Sequence, residues 1–320
     1  MDLIYTNAMH EDEGVLHDFT LDLAFGKDEN DFELIVNSNN HCCESDCLVY
    51  IEGTEYGGIV DAIKVETKDD KLTYVGRSWH GILDSKIIKP DDGQSHLIVS
   101  GESNSVIAYL IDRIGLSDLF VASEEDSGLT IQNYQFDRYI SAYNGITKML
   151  ESVSGKLKFT FKEGKVVLTA LPSVNYAESE QFDNDQVAMN IEKTMNFVNH
   201  MVCLGNGELT ERLILHLYAD ANRNISEIQT FYGLDEIEMT YEANAETIEK
   251  LKEDSLKKFS EMLSDGKTEM DFDPEDVEYD IGDIVGSKEI ITGIEVKEKI
   301  TKKIVSINKG TTTIQYKVGE

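Results

Sequence analysis

The first ninety residues alternate apolar and polar positions in several short runs. Phe19, Leu21, Leu23 and Phe25 occupy every second position of one run, which is typical of a strand with one buried face. Similar runs, separated by acidic or glycine-containing turns, predict further strands at 32–36, 48–51, 59–67 and 72–78. This part of the chain is therefore predicted to be a β-rich domain that ends near Pro90.

The middle of the chain combines helical and strand patterns. Apolar positions in 104–114 have helical spacing, with Ser103 or Asn104 as the expected N-cap and Gly115 as the stop. A second helix is predicted at 143–153, and it is followed by a predicted hairpin at 157–171. The residues from 91 to 185 are thus predicted to form an α+β domain.

The last part of the chain contains the strongest helix signal. A narrow apolar stripe predicts a helix at 245–263, with Asn244 as the cap and Gly266 as the stop. Strands are predicted around it at 196–203, 213–218, 289–296, 299–307 and 311–318. The whole chain is therefore predicted to be α+β and mainly β.

Two hairpins far apart in the sequence share their spacing. Apolar positions and a tyrosine in 59–76 recur in 300–319, with one residue of difference in length. Hairpins with polar turns often look alike, so the similarity is explained equally well by chance. If it reflects a duplication, the chain holds two related β-domains.

Charge limits the classes of partner. The 320 residues include 61 acidic and 29 basic side chains, which gives a net charge of −32. Such a chain repels phosphates and anionic lipid surfaces, so stable binding to nucleic acid and membrane insertion are not expected. The excess of acid serves solubility or, alternatively, lines a passage through which a polyanion moves. Apolar runs are too short to span a bilayer, and the acidic start of the chain does not read as a signal peptide.

Several groups of residues could carry chemistry. His41-Cys42-Cys43 with Cys47 is either a zinc site or a set of packed thiols, and thiols are favoured because no second ligand pair follows. His200 and His216 lie on adjacent predicted strands and could meet, although core histidines are the favoured interpretation. The acidic stretch 271–276 offers oxygens to calcium but lacks the spacing of a dedicated loop. Trp79 is either a sugar-stacking platform or, as favoured, a packing anchor.

Catalytic motifs are lacking. The sequence has no nucleophile elbow, no zinc-protease motif and no phosphate-binding loop, and Gly205-Asn206-Gly207 lacks the third glycine of a dinucleotide site. The chain is therefore predicted not to be an enzyme. No catalytic residue, cofactor or metal ligand is assigned.

Several stretches together resemble the XkdQ/YqbQ-type proteins of defective prophages and contractile phage tails. Their order and spacing carry the resemblance, which runs from about residue 48 to 320. The matching stretches include Gly76-Arg77-Ser78-Trp79-His80-Gly81, Val198-Asn199-His200-Met201-Val202-Cys203-Leu204-Gly205-Asn206-Gly207, and residues 50–53, 56–61, 86–88, 133–136, 216–220 and 279–285. The cysteine cluster is not part of this pattern.

The resemblance implies a structural hub of a tail baseplate. Such a hub is expected to be a homotrimeric ring that joins the sixfold tail tube to the threefold central spike. Two tube-like β-barrel domains, at 1–90 and 186–320, would then flank the accessory domain at 91–185. The implied partners are the tail tube protein and the central spike protein, with tape-measure and baseplate wedge proteins as further candidates.

The expected location is the baseplate of a phage or bacteriocin particle assembled in the bacterial cytoplasm. Two alternatives are a tail-tip cell-wall lysin and a glycan- or receptor-binding tail protein.

The candidate interface residues lie in two hairpin turns, whose strand edges could meet neighbouring subunits. These residues are Lys68, Asp69, Asp70, Lys71, Asn308, Lys309 and Gly310.

Overall fold

A computed structural model describes most of the chain. The described residues are 2–66, 68, 70–178, 181–182, 189–192, 196–264, 269–272, 278–288, 293 and 295–319. The chain forms two compact units, the first comprising Met1–Met189 and Asp271–Val318 and the second comprising Asn190–Met270 with the last two residues.

The described residues of these units form short strands and four α-helices. The strands are β1 (Leu3–Thr6), β2 (Asp12–Leu16), β3 (Thr20–Gly26), β4 (Asp31–Asn37), β5 (Leu48–Tyr50), β6 (Gly57–Glu66), β7 (Lys71–Ser78), β8 (Ile98–Glu102), β9 (Phe120–Ala122), β10 (Thr130–Gln135), β11 (Gly155–Lys162), β12 (Lys165–Pro172), β13 (Gln181–Phe182), β14 (Met189–Glu192), β15 (His200–Leu204), β16 (Ile214–Ala219), β17 (Ile225–Ser226), β18 (Glu238–Glu242), β19 (Glu269–Phe272), β20 (Ile284–Lys288), β21 (Glu295–Asn308) and β22 (Thr311–Val318). The helices are α1 (Trp79–Asp84), α2 (Ser103–Arg113), α3 (Ala142–Glu151) and α4 (Ile248–Ser264).

A curled antiparallel sheet is the main element of the first unit. Part of its strand order is β22-β21-β3-β4-β7-β6-β5-β1-β2, and β20 also pairs with β21. Leu21, Leu23 and Phe25 are buried on one face of β3, as their alternation predicts. The α+β, mainly β class predicted from the sequence is confirmed.

The two hairpins with similar spacing lie in this one sheet. β7 of the first hairpin pairs with β4, and β21 of the second hairpin pairs with β3. Tyr74 and Tyr316, the matching tyrosines, are both fully buried. The closing strands thus belong to the same sheet as the first strands. The division at residues 90 and 185 into two tube-like barrels and an accessory domain stays a prediction.

The helices of the first unit pack with two small sheets. β8 pairs with β10, and β9, β12 and β11 form a three-stranded sheet. Glu102 caps α2, because its carboxylate accepts hydrogen bonds from the backbone N–H groups of Asn104 and Ser105. The prediction of Ser103 or Asn104 as the cap was therefore wrong by one or two positions, since a glutamate side chain is long enough to reach back to the helix end.

The described residues of the second unit include a four-stranded sheet with α4 on one face. The order is β17-β16-β15-β18, and β15 and β18 are parallel. α4 begins at Ile248, and the Thr247 hydroxyl accepts a 3.3 Å hydrogen bond from the backbone N–H of Lys250. Thr247 therefore occupies the capping position predicted for Asn244. The predicted stop at Gly266 and most of the predicted strand 289–296 lie outside the described residues.

Two glycines allow β6 and β7 to approach closely beside a bulge after Val60. A Cβ atom on Gly76 would lie 1.9 Å from the carbonyl oxygen of Ile59, and one on Gly58 would lie 2.1 Å from that of Arg77. Both obstacles are backbone atoms, which a rotamer change cannot move. Any larger residue must therefore distort the strand pairing.

We expect Gly76→Ala to lower the free energy of unfolding by about 3 kcal/mol, because the added methyl group overpacks a backbone contact. Denaturant unfolding followed by circular dichroism measures this change. Gly93→Ala is the control: Gly93 has a φ of +80° and no atom near its virtual Cβ, so only the cost of its left-handed backbone, about 1 kcal/mol, is expected. Equal losses for the two variants would contradict this interpretation.

Candidate assembly surface

The two hairpin turns predicted as interfaces project from the same end of the main sheet. Asn308 pairs with Thr20, Thr20 with Ile35, and Ile35 with Thr73. These pairs form one row across β21, β3, β4 and β7. The turn between β21 and β22 and the turn between β6 and β7 both lie beyond this row. Since neighbouring strands are about 4.8 Å apart, β21 and β7 are separated by about 15 Å along this row.

The described residues of these turns are exposed. Lys309 and Gly310 have φ angles of 49° and 82°. Two successive positive φ angles are typical of the type I′ turn that suits a two-residue hairpin. Asp70 has a φ of 49°, and its carbonyl oxygen accepts a hydrogen bond from Ser38 N–H at 2.8 Å. The exposed candidates are Lys68, Asp70, Lys71, Asn308, Lys309 and Gly310, while Asp69 lies outside the described residues.

One strand edge of the first hairpin lies on β6. β5 pairs with β6 only at Gly57–Ile59. The backbone of residues 46–47 forms hydrogen bonds with the backbone of Val60. Among the described strands, β7 is the only partner of β6 beyond that point. Residues 61–65 are exposed on both faces, with Val65 61% and Ile63 38% exposed. We call residues 61–73 the hairpin arm; its edge can accept a further strand.

A buried lysine joins segments that are distant in the sequence. Lys303 on β21 is 1% exposed, and its Nζ lies 2.7 Å from carboxylate oxygens of both Glu55 and Glu278. The rings of Tyr56 and Tyr316 flank the ammonium group, with centroids at 5.6 and 5.9 Å. Burial alone would lower the pKa of Lys303, but Glu55 and the other partners raise it above its usual value. The lysine therefore remains charged.

A second buried lysine fixes the segment that carries Glu278. Lys156 Nζ lies 2.7 Å from Asp280 and 2.8 Å from Asp283, which is 1% exposed. Asp283 also accepts hydrogen bonds from the backbone N–H groups of Val174 and Asp280. Burial would raise the pKa of Asp280, but the hydrogen bond and charge of Lys156 hold it below its usual value. The two lysines tie β11 and β21 to residues 278–283.

His80 lies beside this charged cluster between two aromatic rings. Its ring centroid is 4.6 Å from that of Phe25 and 3.8 Å from that of Phe159. Burial, together with the charge of Lys303, lowers the pKa of His80 to about 3. The imidazole is therefore neutral at physiological pH and acts as a packing residue.

A cleft of about 230 Å³ opens next to the cluster. It is lined by Glu55, Tyr56, Lys158, Glu278 and Asp280, among others. Burial raises the pKa of Glu55, while the charge of Lys303 opposes this shift. The cleft therefore contains a carboxyl group with a perturbed pKa, but that group already pairs with Lys303.

The cysteine cluster consists of free thiols. The Sγ atoms of Cys42 and Cys43 are 3.5 Å apart, and Cys43 and Cys47 are buried. Hydrogen bonding to Cys43 lowers the pKa of Cys42, whereas the same contact and burial raise the pKa of Cys43. The thiols pack against the sheet, where the Tyr74 hydroxyl accepts a hydrogen bond from the backbone N–H of Cys42 at 3.0 Å.

Two further sequence candidates have clear positions. Trp79 is fully buried and stacks on Phe161 at 5.2 Å, so it serves as a packing anchor rather than a surface platform. His200 and His216 do meet, with 2.8 Å between His200 Nε2 and His216 Nδ1.

Most of the acidic stretch 271–276 lies outside the described residues. Among the described residues, no helix is both long and apolar enough to cross a membrane.

The fold is similar to those of solved prophage tail proteins. The tail protein from Neisseria meningitidis MC58 is 14% identical, with a TM-score of 0.55, and the match covers 100% of this chain and 96% of that one. The 43 kDa tail protein of prophage MuSo2 from Shewanella oneidensis is 12% identical, with a TM-score of 0.56 and coverages of 99% and 97%. Prophage tail protein gp18 from Listeria monocytogenes EGD-e is 12% identical, with a TM-score of 0.50 and coverages of 100% and 94%.

Sequence comparison adds no relative. No family model matches the chain, and no curated protein matches it. The resemblance to tail proteins therefore rests on the fold, which agrees with it over the full length of the chain.

We expect the stability of the protein to fall below pH 6.5 in part because of His80. The unfolded imidazole gains its proton near pH 6.5, whereas the folded one remains neutral down to about pH 3. Between these values the unfolded state binds more protons, so acidification favours unfolding by up to about 1.4 kcal/mol per pH unit. His80→Phe keeps an aromatic ring between Phe25 and Phe159 and should flatten this dependence.

Urea unfolding at pH 5, 6 and 7 measures the effect. His17→Phe is the matched control, because the His17 side chain is 75% exposed. It should retain the pH dependence of the unsubstituted protein. An unchanged pH dependence in His80→Phe would contradict the assignment.

Proposed function

We propose that the chain is a structural subunit of a contractile tail baseplate and acts as its hub. In this role, three copies form a ring that joins the sixfold tail tube to the threefold central spike. The carrying observation is that both candidate hairpin turns project from one end of one sheet, beside a strand edge on the hairpin arm. The likeness of the fold to prophage tail proteins supports the tail assignment.

Symmetry explains why such a part would need two similar hairpins. An adapter between sixfold and threefold structures presents six similar contacts on one side and three on the other. Three copies with two projecting hairpins each supply six contacts. In this proposal the turn at 68–71 and the turn at 308–310 face the tube, and the opposite side of the ring meets the spike.

The acidic charge fits a passage for a polyanion. With 61 acidic and 29 basic residues, copies of this chain around an axis would repel DNA from the walls of the bore. Carboxylates facing the axis are therefore part of the proposal. The ring would keep the bore open without binding the nucleic acid that moves through it.

Electron microscopy of tail particles that carry a gold-labelled tag on this chain tests the location. Label on the tail axis at the junction of tube and spike is the expected result. Label on peripheral fibres would favour receptor binding and overturn the hub. Native mass spectrometry of the released baseplate then counts the copies, and any number other than three or a multiple of three contradicts the ring.

Substitutions in the hairpin arm test its contact with neighbouring subunits. We expect Val65→Asp to leave the folded chain unchanged, because Val65 is 61% exposed. The variant should nevertheless reduce incorporation into tail particles by at least tenfold, because a buried unpaired carboxylate in an interface is strongly unfavourable. Complementation of a deletion strain, followed by immunoblotting of purified particles, measures incorporation.

Ile98→Asp is the matched control for this variant. Ile98 is 57% exposed on β8, outside the main sheet. Normal incorporation of Ile98→Asp together with loss of Val65→Asp supports the arm contact. Normal incorporation of both variants would exclude the arm as an interface.

A cell-wall lysin is the second candidate, and the cleft beside Glu55 favours it. The cleft contains the carboxyl groups of Glu55, Glu278 and Asp280, burial raises the pKa of Glu55, and glycoside hydrolysis uses a pair of carboxyl groups of which one has a raised pKa. Incubating the purified chain with cell walls discriminates the two functions. Release of soluble sugars that Glu55→Gln abolishes would establish the lysin. Lack of release with the folded chain supports the structural role.

A further inference from the structure

Four polar side chains converge in the second unit. His200 Nδ1 lies 2.8 Å from Glu236 Oε1 and 2.9 Å from Glu238 Oε1. Its other nitrogen, Nε2, lies 2.8 Å from His216 Nδ1. His200 is 5% exposed, whereas His216 and Glu238 are exposed. The group therefore has a buried centre and an open side.

The register of the sheet creates this arrangement. His200 on the central strand β15 pairs with Glu238 on β18 and with Tyr218 on β16. His216 lies two residues before Tyr218 and so points to the same face. Met201 and Cys203, which alternate with His200, point to the opposite face and belong to the core with Leu251 and Phe259 of α4.

Glu236 comes from the loop just before β18 and is held in place. The side-chain amide of Gln229 donates a 2.7 Å hydrogen bond to Glu236 Oε1, the same oxygen that faces His200. The ring of Tyr218 stacks on His200 at 4.3 Å. Both the carboxylate and the imidazole are thus oriented by neighbours, as metal ligands usually are.

A bound cation would compensate the negative charge of the two carboxylates in this group. Two carboxylates face one nitrogen of one imidazole, and among the described residues neither Glu236 nor Glu238 forms an ion pair with a lysine or arginine. If His200 Nε2–H donates to His216 Nδ1, the Nδ1 lone pair faces two carboxylate oxygens. In that tautomer the arrangement is repulsive unless a metal ion lies among the three atoms, whereas in the other tautomer His200 Nδ1–H donates a hydrogen bond to the carboxylates.

The spacing of the donor atoms is compatible with a metal coordination sphere as well as with hydrogen bonds. At bond lengths of about 2.1 Å, neighbouring ligands of an octahedral ion are about 3.0 Å apart. The nitrogen-to-oxygen distances here are 2.8 and 2.9 Å, and all three donor atoms lie within 4.8 Å of one another. One imidazole nitrogen and two carboxylate oxygens suit divalent zinc, cobalt, nickel or manganese better than calcium or magnesium, which prefer oxygen alone.

We propose that His200, Glu236 and Glu238 bind a divalent transition-metal ion. His200 Nδ1 and one oxygen of each carboxylate are the ligands, and His216 accepts the His200 Nε2–H hydrogen bond that selects this tautomer. The remaining coordination positions face solvent on the open side of the sheet. The ion links β15 to the loop before β18 and to β18 itself, so it stabilises the second unit. This site is independent of the proposed hub function.

Cobalt binding to the full chain tests the site, because Co²⁺ reports its ligands by absorption. We expect one Co²⁺ per chain, with the weak visible bands of nitrogen and oxygen ligands and without the intense near-ultraviolet band of cobalt thiolate. Glu238→Gln should weaken binding at least tenfold, since it removes a charged ligand at an exposed position. The same titration with Ca²⁺ should show binding at least a hundredfold weaker than that of Co²⁺.

Glu242→Gln is the matched control. Glu242 is exposed on the same strand and pairs with Arg212, so its substitution should leave Co²⁺ affinity unchanged. Differential scanning fluorimetry provides a second readout: Co²⁺ should raise the melting temperature of the unsubstituted chain and of Glu242→Gln, but not of Glu238→Gln. A thiolate band would assign the ion to the cysteine cluster and overturn the proposal. Equal affinities of the two glutamine variants would do the same.

Discussion

The buried ammonium group of Lys303 is the interaction on which the first unit depends. Removing such a charge from water costs several kcal/mol unless every partner is in place, and breaking a buried pair typically costs about 3–5 kcal/mol. Its partners, Glu55 and Glu278, come from segments far from β21 in the sequence. The lysine thus holds the main sheet, the turn before β6 and the segment before β20 in one arrangement, with His80 packed neutral beside them.

Local sequence patterns predicted the helices and strands better than they predicted which strands and which charged side chains pair with one another. The alternation of Leu21, Leu23 and Phe25 predicted β3, and helical spacing predicted α2 and α3, because burial of one face leaves a periodic trace. Lys303 leaves no such trace: a lysine in a strand is usually read as an exposed position, and its burial depends on two distant carboxylates. The pairing of β21 with β3 could not be predicted either, because these strands are far apart in the sequence and no local pattern encodes their pairing.

The candidate surface was predictable only in part. Turn chemistry identified the turn through Gly310, since a positive φ angle favours glycine, and Lys309 occupies the other positive-φ position of this turn. That both turns lie at one end follows from the register through β21, β3, β4 and β7, which no local pattern encodes. The free edge of the hairpin arm depends on the shortness of β5. Likewise, the sequence showed that His200 and His216 could meet, but not that the loop before β18 brings Glu236 to them.

The second unit is inserted between strands that must find each other. Since β3 precedes residues 190–270 and β21 follows them, residues 190–270 emerge from the ribosome before β21 does. Domains fold as units during synthesis, and long-range strand pairing is slow. The second unit can therefore fold early. Until β21 is available, Glu55 remains hydrated and the edge of β3 that pairs with β21 remains unpaired. The end of the main sheet that carries both hairpin turns forms only when the chain is nearly complete. Translation products truncated before β21 therefore lack that end.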